Sequence, residues 1–340
     1  MSAGAAPSVG DPVRVVVVGA GSVGARHAQA VAAHPRATLA AVVDPSEPLR
    51  AAHDAPCFAA LDDVDVAAEA AIIATPTGLH APLGAQAAAR GWTVLVEKPI
   101  AATLEQADAL IAACEAADVP LLVGHHRRTH AVAARARALL ATGAIGRVVG
   151  VSGMWCVRKP DGYFDVPWRS GDAGSPVLIN LVHDLDLLHY LLGPIAEAQP
   201  LLSTAIRRGA TEDSGAVALR FENGALGTIL FTDSAPSPWG FETATGENPA
   251  IAAGGDDCYR FVGTAGALGF PSLTLWDGAR DWSEPAVRTA AAPVPPTEPL
   301  AAQIDHLCDV VRHGAAPLCS GADGRAALEL AQDIITRGRF

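Results

Sequence analysis

The turn Gly19-Ala20-Gly21-Ser22-Val23-Gly24 comes directly after four consecutive valines, Val15 to Val18, and an alanine-rich helical pattern follows at once. A buried strand that runs through glycines into a helix presents free backbone N–H groups, a suitable seat for a pyrophosphate. Gly19 permits the tight turn, Gly21 lets a phosphate approach the backbone, and Gly24 lets the helix pack closely on the strand. Asp44 closes the next strand-like run, Thr38 to Val43, at the spacing expected of a carboxylate accepting from adenosine ribose hydroxyls. Pro45-Ser46-Glu47 comes next, with no arginine to meet a 2′-phosphate, so the expected guest is NAD rather than NADP.

Further polar stretches fall where buried strands end, the edge at which parallel sheets collect ligands. In Ala74-Thr75-Pro76-Thr77-Gly78-Leu79-His80, Pro76 stiffens a turn, Thr75 can bond a phosphate or a nicotinamide amide, and His80 opens a helix. Glu97-Lys98-Pro99 follows the run ending at Val96. The chain has two lysines, Lys98 and Lys159, so lysine is not its generic surface cation. A lysine at a strand end could donate to an oxygen undergoing redox change; the plain alternative is a cation snorkelling past the strand. Gly124-His125-His126-Arg127-Arg128 has the charge density of a polar site wall. Asn180-Leu181-Val182-His183-Asp184-Leu185-Asp186 opens a helix in which Asn180, His183 and Leu187 share a face. Asp186, three residues after His183, could orient the imidazole, a suitable acid/base for an alcohol–ketone interconversion.

No metal is expected. The six cysteines form no CxxC pair, and adjacent histidines seldom face one ion. Their mostly apolar contexts read as buried thiols in a reducing cytoplasm. The net charge of −12 disfavours a nucleic-acid binder, and no apolar run reaches membrane-spanning length.

The elements that must position these residues divide the chain. Residues 1–12 read as a flexible tail without the features of a secretory signal. From 13 to 146, strands and helices alternate at βα spacing, the pattern of a doubly wound parallel sheet. From 147 to 292 the texture becomes a helix of about Asn180 to Leu192 and many strand-like runs. Val148 to Cys156, Gly215 to Phe221, Ala225 to Phe231, Phe241 to Thr245, Tyr259 to Val262 and Ala267 to Phe270 are among them. They predict a mostly antiparallel sheet with a helix on one face and apolar residues on many strand positions, and face-to-face dimerisation. Residues 293–340 read as a proline-rich linker and C-terminal helices, about Leu300 to His313 and Gly324 to Arg337.

Taken together these residues resemble the glucose–fructose oxidoreductase, inositol dehydrogenase and MocA-type (Gfo/Idh/MocA) dehydrogenases. The resemblance rests on Gly19 to Gly24 with His27, Ala74 to His80, Glu97-Lys98-Pro99, Gly124 to Arg128, Trp168-Arg169, and the helix around His183 with Gly193. It implies an N-terminal Rossmann domain, a C-terminal α/β domain whose large, mostly antiparallel open sheet is used to form a homodimer or homotetramer, and last helices returning to the first domain. It further implies Lys98 as the catalytic lysine, His183 as the acid/base for a substrate hydroxyl, and Trp168-Arg169 bordering the cofactor. Tyr163, Trp168, Arg169, Arg128 and His126 would line a polar pocket suited to a polyol, sugar or cyclitol, and its arginines would equally suit a hydroxylated carboxylate. One departure stands out: inositol dehydrogenase-like members carry an aspartate four residues before the histidine, where this chain has Ile179. Asn180 beside it can bond a hydroxyl but cannot act as a general base. Proton transfer is therefore assigned to His183 supported by Asp186 or Asp184. The expectation is a cytoplasmic NAD-dependent dehydrogenase acting on a small molecule. The alternatives are a non-catalytic NAD-binding sensor and a redox enzyme that retains its cofactor while acting on a diol or hydroxy acid.

Overall fold

The computed structural model describes residues 10–338 except 172, 173, 291, 296 and 297, and the side chains of 167 and 168 lie outside that description. The chain forms two compact units. The first takes in Met1–Thr129 and Glu298–Leu328, the second His130–Thr297 and Glu329–Phe340.

In the first unit the strands are β1 (Val13–Val18), β2 (Ala37–Val43), β3 (Cys57–Phe58), β4 (Ala70–Ile73), β5 (Thr93–Val96) and β6 (Leu121–Val123). The helices among them are α1 (Ser22–Ala33), α2 (Glu47–Arg50), α3 (His80–Ala88) and α4 (Leu104–Ala116). The sheet order is β3-β2-β1-β4-β5-β6 and all its pairings are parallel. Every residue of β4 and β5 is buried, as expected of strands covered on both faces. The chain leaves β1 for β2 on one side and returns to β4 on the other, so a crevice opens at the carboxyl ends of β1 and β4.

The second unit begins with α5 (Ala131–Ala141), which the sequence reading did not foresee. Its strands are β7 (Val148–Cys156), β8 (Ile195–Ser203), β9 (Ser214–Phe221), β10 (Leu226–Thr232), β11 (Tyr259–Gly263), β12 (Ala267–Phe270), β13 (Leu275–Asp277) and β14 (Val287–Thr289). Between β7 and β8 lie α6 (Pro167–Ser170) and α7 (Val182–Leu192). The sheet order is β14-β13-β12-β11-β7-β10-β9-β8; β7 and β10 run parallel, and the other pairings among the described residues are antiparallel. The expected strand at Phe241–Thr245 is instead a short helix, α8. Phe241, Thr243 and Thr245 favour a strand, yet Gly240 and Gly246 bracket a single turn that buries Phe241 and brings Glu242 to accept from Trp155 Nε1 at 3.0 Å.

α9 (Pro299–His313) and α10 (Gly321–Gly338) finish the chain. α9 belongs to the first unit, where Ile304, Leu307, Cys308 and Val310 join a core with Val13, Val15, Val17, Ile72 and Leu95. Ion pairs from Arg36 to Asp305 and Asp309, and from Arg312 to Glu69, fasten it there.

Candidate active site

The glycine turn is built as its spacing demands. Gly19 has φ +94°, and a Cβ there would sit 2.5 Å from the Ala74 carbonyl oxygen at the end of β4. A Cβ on Gly24 would lie 1.9 Å from the Gly19 carbonyl oxygen, so α1 rests directly on the turn. Above Gly21 nothing lies within 4 Å. Ser22 and Val23 occupy the exposed first turn of α1, whose N–H groups have no intrahelical acceptors.

Asp44 is buried at the end of β2. Its Oδ2 accepts from Ala20 N–H and its Oδ1 from Ser46 N–H, each at 2.8 Å. A carboxylate oxygen holding one such bond keeps a lone pair for a further donor. Arg50 returns along α2 to donate from Nη1 to the Asp44 carbonyl oxygen at 2.6 Å. The sequence reading missed this cation, because only a helical turn brings position 50 back to the strand end.

After β4, Thr75 carries a buried Oγ1 with no hydrogen-bond partner, while Pro76 leads into a 3₁₀ turn, Thr77–Leu79. An orphaned hydroxyl beside Gly19, open space over Gly21 and the Asp44 carboxylate are together what a dinucleotide requires of this edge. The residues present therefore fit NAD.

At the end of β5, Glu97 Oε1 lies 2.8 Å from Nε2 of the fully buried His27, and Glu97 Oε2 accepts from the Lys98 N–H at 3.1 Å. Burial alone would raise the Glu97 carboxyl. The His27 hydrogen bond and the charges of His27, Lys98 and His126 overcome it and hold the group down at about 2. Lys98 thus follows an ionised anchor. His80 is buried, with Nδ1 2.8 Å from the Pro99 carbonyl oxygen and Nε2 2.9 Å from that of Thr75. His126 and Arg128 lie in the 3₁₀ turn His126–Thr129. Arg128 is buried, pairs with Asp323 at 3.3 Å and donates to the Leu318 carbonyl oxygen at 2.9 Å. It braces the returning C-terminal segment, a tie no local pattern announces.

In the second unit, Asn180 does not start an α-helix. It sits in a π-helical turn, Val177–Leu181, that leads into α7. The α-helical spacing linking Asn180 to His183 therefore does not apply across that junction. Asn180 keeps a buried Oδ1 with no hydrogen-bond partner, and His183, Asp184 and Asp186 are all buried. The Tyr259 hydroxyl, from β11, donates to Asp184 Oδ1.

The loop after β7 gathers a cluster that sequence reasoning saw only in part. The Tyr163 ring has Lys159 Nζ 4.8 Å from its centroid and the Arg169 guanidinium 4.4 Å from it. Buried Asp233 pairs with Lys159 at 3.2 Å and with Arg207 at 3.1 Å. Burial pushes the Lys159 ammonium down, and Asp233 opposes it. The Trp168 side chain lies outside the described residues.

With this geometry in place, comparison with known proteins becomes informative. Residues 13–125 match the model for the oxidoreductase family with an NAD-binding Rossmann fold, and residues 133–269 match the GFO/IDH/MocA C-terminal domain. Inositol 2-dehydrogenase of Rhizobium meliloti (strain 1021) is 30% identical across 95% of this chain and 96% of its own. The chain belongs to the Gfo/Idh/MocA oxidoreductase family. Levoglucosan dehydrogenase of Pseudarthrobacter phenanthrenivorans is 31% identical over 52% of this chain, and the chain spans about half of that relative's length, 51%. The crystal structure of the WlbA dehydrogenase from Bordetella pertussis in complex with NADH and UDP-GlcNAcA superposes with a TM-score of 0.78. It is 25% identical and covers 98% of this chain and 97% of its own. Among the described residues of this family member, no helix is long and apolar enough to cross a membrane.

Proposed function

We propose that this Gfo/Idh/MocA protein is a dehydrogenase that prefers NAD to NADP and acts on a hydroxyl-bearing carbon of a polyol, sugar, cyclitol or related hydroxylated small molecule. The observation that carries the reading is Lys98. This half-buried lysine stands at the end of β5 on an ionised Glu97–His27 anchor, and β5 is the neighbour of the strand that ends at the Thr75 turn. The names of the inositol and levoglucosan relatives support the substrate class.

The backbone of Gly19, Gly21, Ser22, Val23 and Gly24 would hold the pyrophosphate, and Asp44 the adenosine ribose. Thr75, Pro76, His80 and Glu97 would frame the nicotinamide half, bordered by Trp168 and Arg169. Bound nicotinamide supplies the hydride acceptor or donor. The protein's own share is proton and charge management. His183 takes or returns the hydroxyl proton, Lys98 polarises the reacting oxygen, and Asn180 Oδ1 accepts from a substrate hydroxyl. Tyr259 already donates to Asp184, which favours Asp186 as the carboxylate supporting His183. His126 and Tyr163 are further proposed substrate contacts, while Arg128 is engaged with Asp323 and the Leu318 carbonyl.

The test is a screen of the purified protein for nicotinamide absorbance change across polyols, sugars, cyclitols and hydroxy acids, with NADP in parallel. NAD binding without turnover on any of them would leave the sensor reading standing. Equal use of NADP would shift weight from Asp44 to Arg50.

The assembly surface is proposed to be the exposed face of the second sheet. Leu201, Ala216 and Leu230 lie side by side across β8, β9 and β10, and Leu226 and Val262 flank Gly150 of β7. Leu201, Leu226, Leu230 and Val262 are all exposed in the single chain. A row of this kind is what a homodimer or homotetramer would bury. Leu230→Glu should then lower the sedimenting mass, and an unchanged mass would remove this face from the assembly.

A further inference from the structure

Two buried histidines hold the residues on either side of Lys98. His27 holds Glu97 from α1, as described above. His80 holds Pro99, and its geometry carries more information. Nδ1 is 2.8 Å from the Pro99 carbonyl oxygen and Nε2 is 2.9 Å from the Thr75 carbonyl oxygen. Carbonyl oxygens only accept hydrogen bonds. A neutral imidazole, which has one N–H, would donate to one of them and turn a lone pair toward the other. The doubly protonated ring donates to both.

The two carbonyls belong to different turns of the same sheet edge. The ladder between β4 and β5 ends where Glu97 N–H donates to the Ile73 carbonyl oxygen at 2.9 Å. Beyond that rung, His80 joins the Thr75 turn to the Lys98-Pro99 turn. One of these carries the orphaned Thr75 hydroxyl and the other carries the lysine. The ring is buried, so a displacement of one carbonyl is passed to the other rather than absorbed by a swing into solvent.

We propose that His80 is a positioning residue, an imidazolium strut through which occupation of the dinucleotide turn at Thr75 sets the placement of Lys98. The proposal rests on the NAD-binding reading above. It assigns His80 a role distinct from lining the cofactor, since the ring acts on Lys98 through the Pro99 carbonyl.

Two substitutions separate the two ends of the strut. Glutamine places an amide N–H₂ where Nε2 stands, and asparagine places one where Nδ1 stands. His80→Gln thus retains the Thr75 bond and loses the Pro99 bond, and His80→Asn does the reverse. Because the chain has two lysines, reductive methylation with ¹³C-formaldehyde gives a short list of NMR signals, and Lys159→Arg assigns that of Lys98. In the wild-type chain, NAD should shift the Lys98 signal. At saturating NAD, His80→Gln should lose that shift. His80→Asn should bind NAD about tenfold more weakly, about 1.4 kcal/mol, while its Lys98 signal without NAD matches wild type. The ¹⁵N spectrum of the wild-type imidazole should show hydrogen on both His80 nitrogens.

A single ring N–H overturns the strut, and so does a wild-type Lys98 shift that persists in His80→Gln. Should neither variant fold, the wild-type ring spectrum and the wild-type Lys98 response decide the matter. A wild-type protein that does not bind NAD overturns the dehydrogenase reading, whereas NAD binding without any Lys98 shift overturns the strut alone.

Discussion

The carboxyl edge of the first sheet and the start of α7 hold the two halves of the proposed chemistry, and they are built in different ways. At the sheet edge each chemical residue stands one to seven positions beyond a strand and is fixed largely by backbone groups. Asp44 is held by two N–H groups, His80 faces two carbonyls, and Gly19 and Gly24 lie against backbone that a Cβ would strike. At the α7 start, the residues sit in a buried side-chain network that includes Tyr259 from a distant strand. Backbone-held sites tolerate side-chain change around them but not at the glycines. Side-chain-held sites should show the opposite sensitivity.

The strongest test of this contrast is Lys98→Met. Turnover should fall by roughly 10²–10⁴-fold, with NAD affinity nearly unchanged in a fluorescence titration. Comparable turnover in that variant would sink the proposed role. Next come the glycines, which should part company. Gly24→Ala puts a methyl 1.9 Å from a backbone oxygen and should cost at least about 1–3 kcal/mol in denaturant unfolding. Gly21→Ala meets nothing within 4 Å, so it should leave stability unchanged while weakening NAD binding about tenfold. Equal effects from the two would show that the turn is held by packing alone.

On the other side, Tyr259→Phe deprives buried Asp184 of a donor and should lower stability by about 1–3 kcal/mol. If the melting temperature stays put, the network is not what holds the α7 start. The smallest effect concerns acid. The Glu97 carboxyl is held at about 2 against an ordinary 4.5, so it is depressed in the folded state. Its contribution is complete above the ordinary value and drains away as pH falls toward 2. Glu97→Gln should therefore flatten the acid limb of a plot of melting temperature against pH. An unaltered slope would place the acid sensitivity elsewhere, for example at Asp323, where burial raises the carboxyl and Arg128 together with the Ser320 hydrogen bonds outweighs it.

The sequence made the sheet edge legible because strand, turn and ligand group lie within a few residues of one another. The change from β to helical period at Gly19–Gly24 was enough to place β1 and α1. Arg50 escaped notice although it is near in sequence, since its reach back to Asp44 depends on a helical turn. The second unit was less legible. Phe241–Thr245 has the phenylalanine and threonines of a strand but is a helix, because the glycines at its ends and the Trp155–Glu242 bond decide its conformation. The π-helical turn at Asn180 leaves no local signature either. Lys159, Arg207 and Asp233 come together from separate loops, and nothing in their spacing announces that.

The return of α9 also bears on how the protein is made. Val13 and Val17 leave the ribosome well before Ile304, Leu307 and Val310, which share their core. At about 5–20 residues per second, the wait between Val123 and Ile304 lasts roughly 10–40 s. During that interval the nascent Rossmann sheet carries an uncovered apolar patch, and Arg36 and Glu69 lack the ion-pair partners that α9 brings. Until α9 has been synthesised, that patch is open to chaperones and to aggregation.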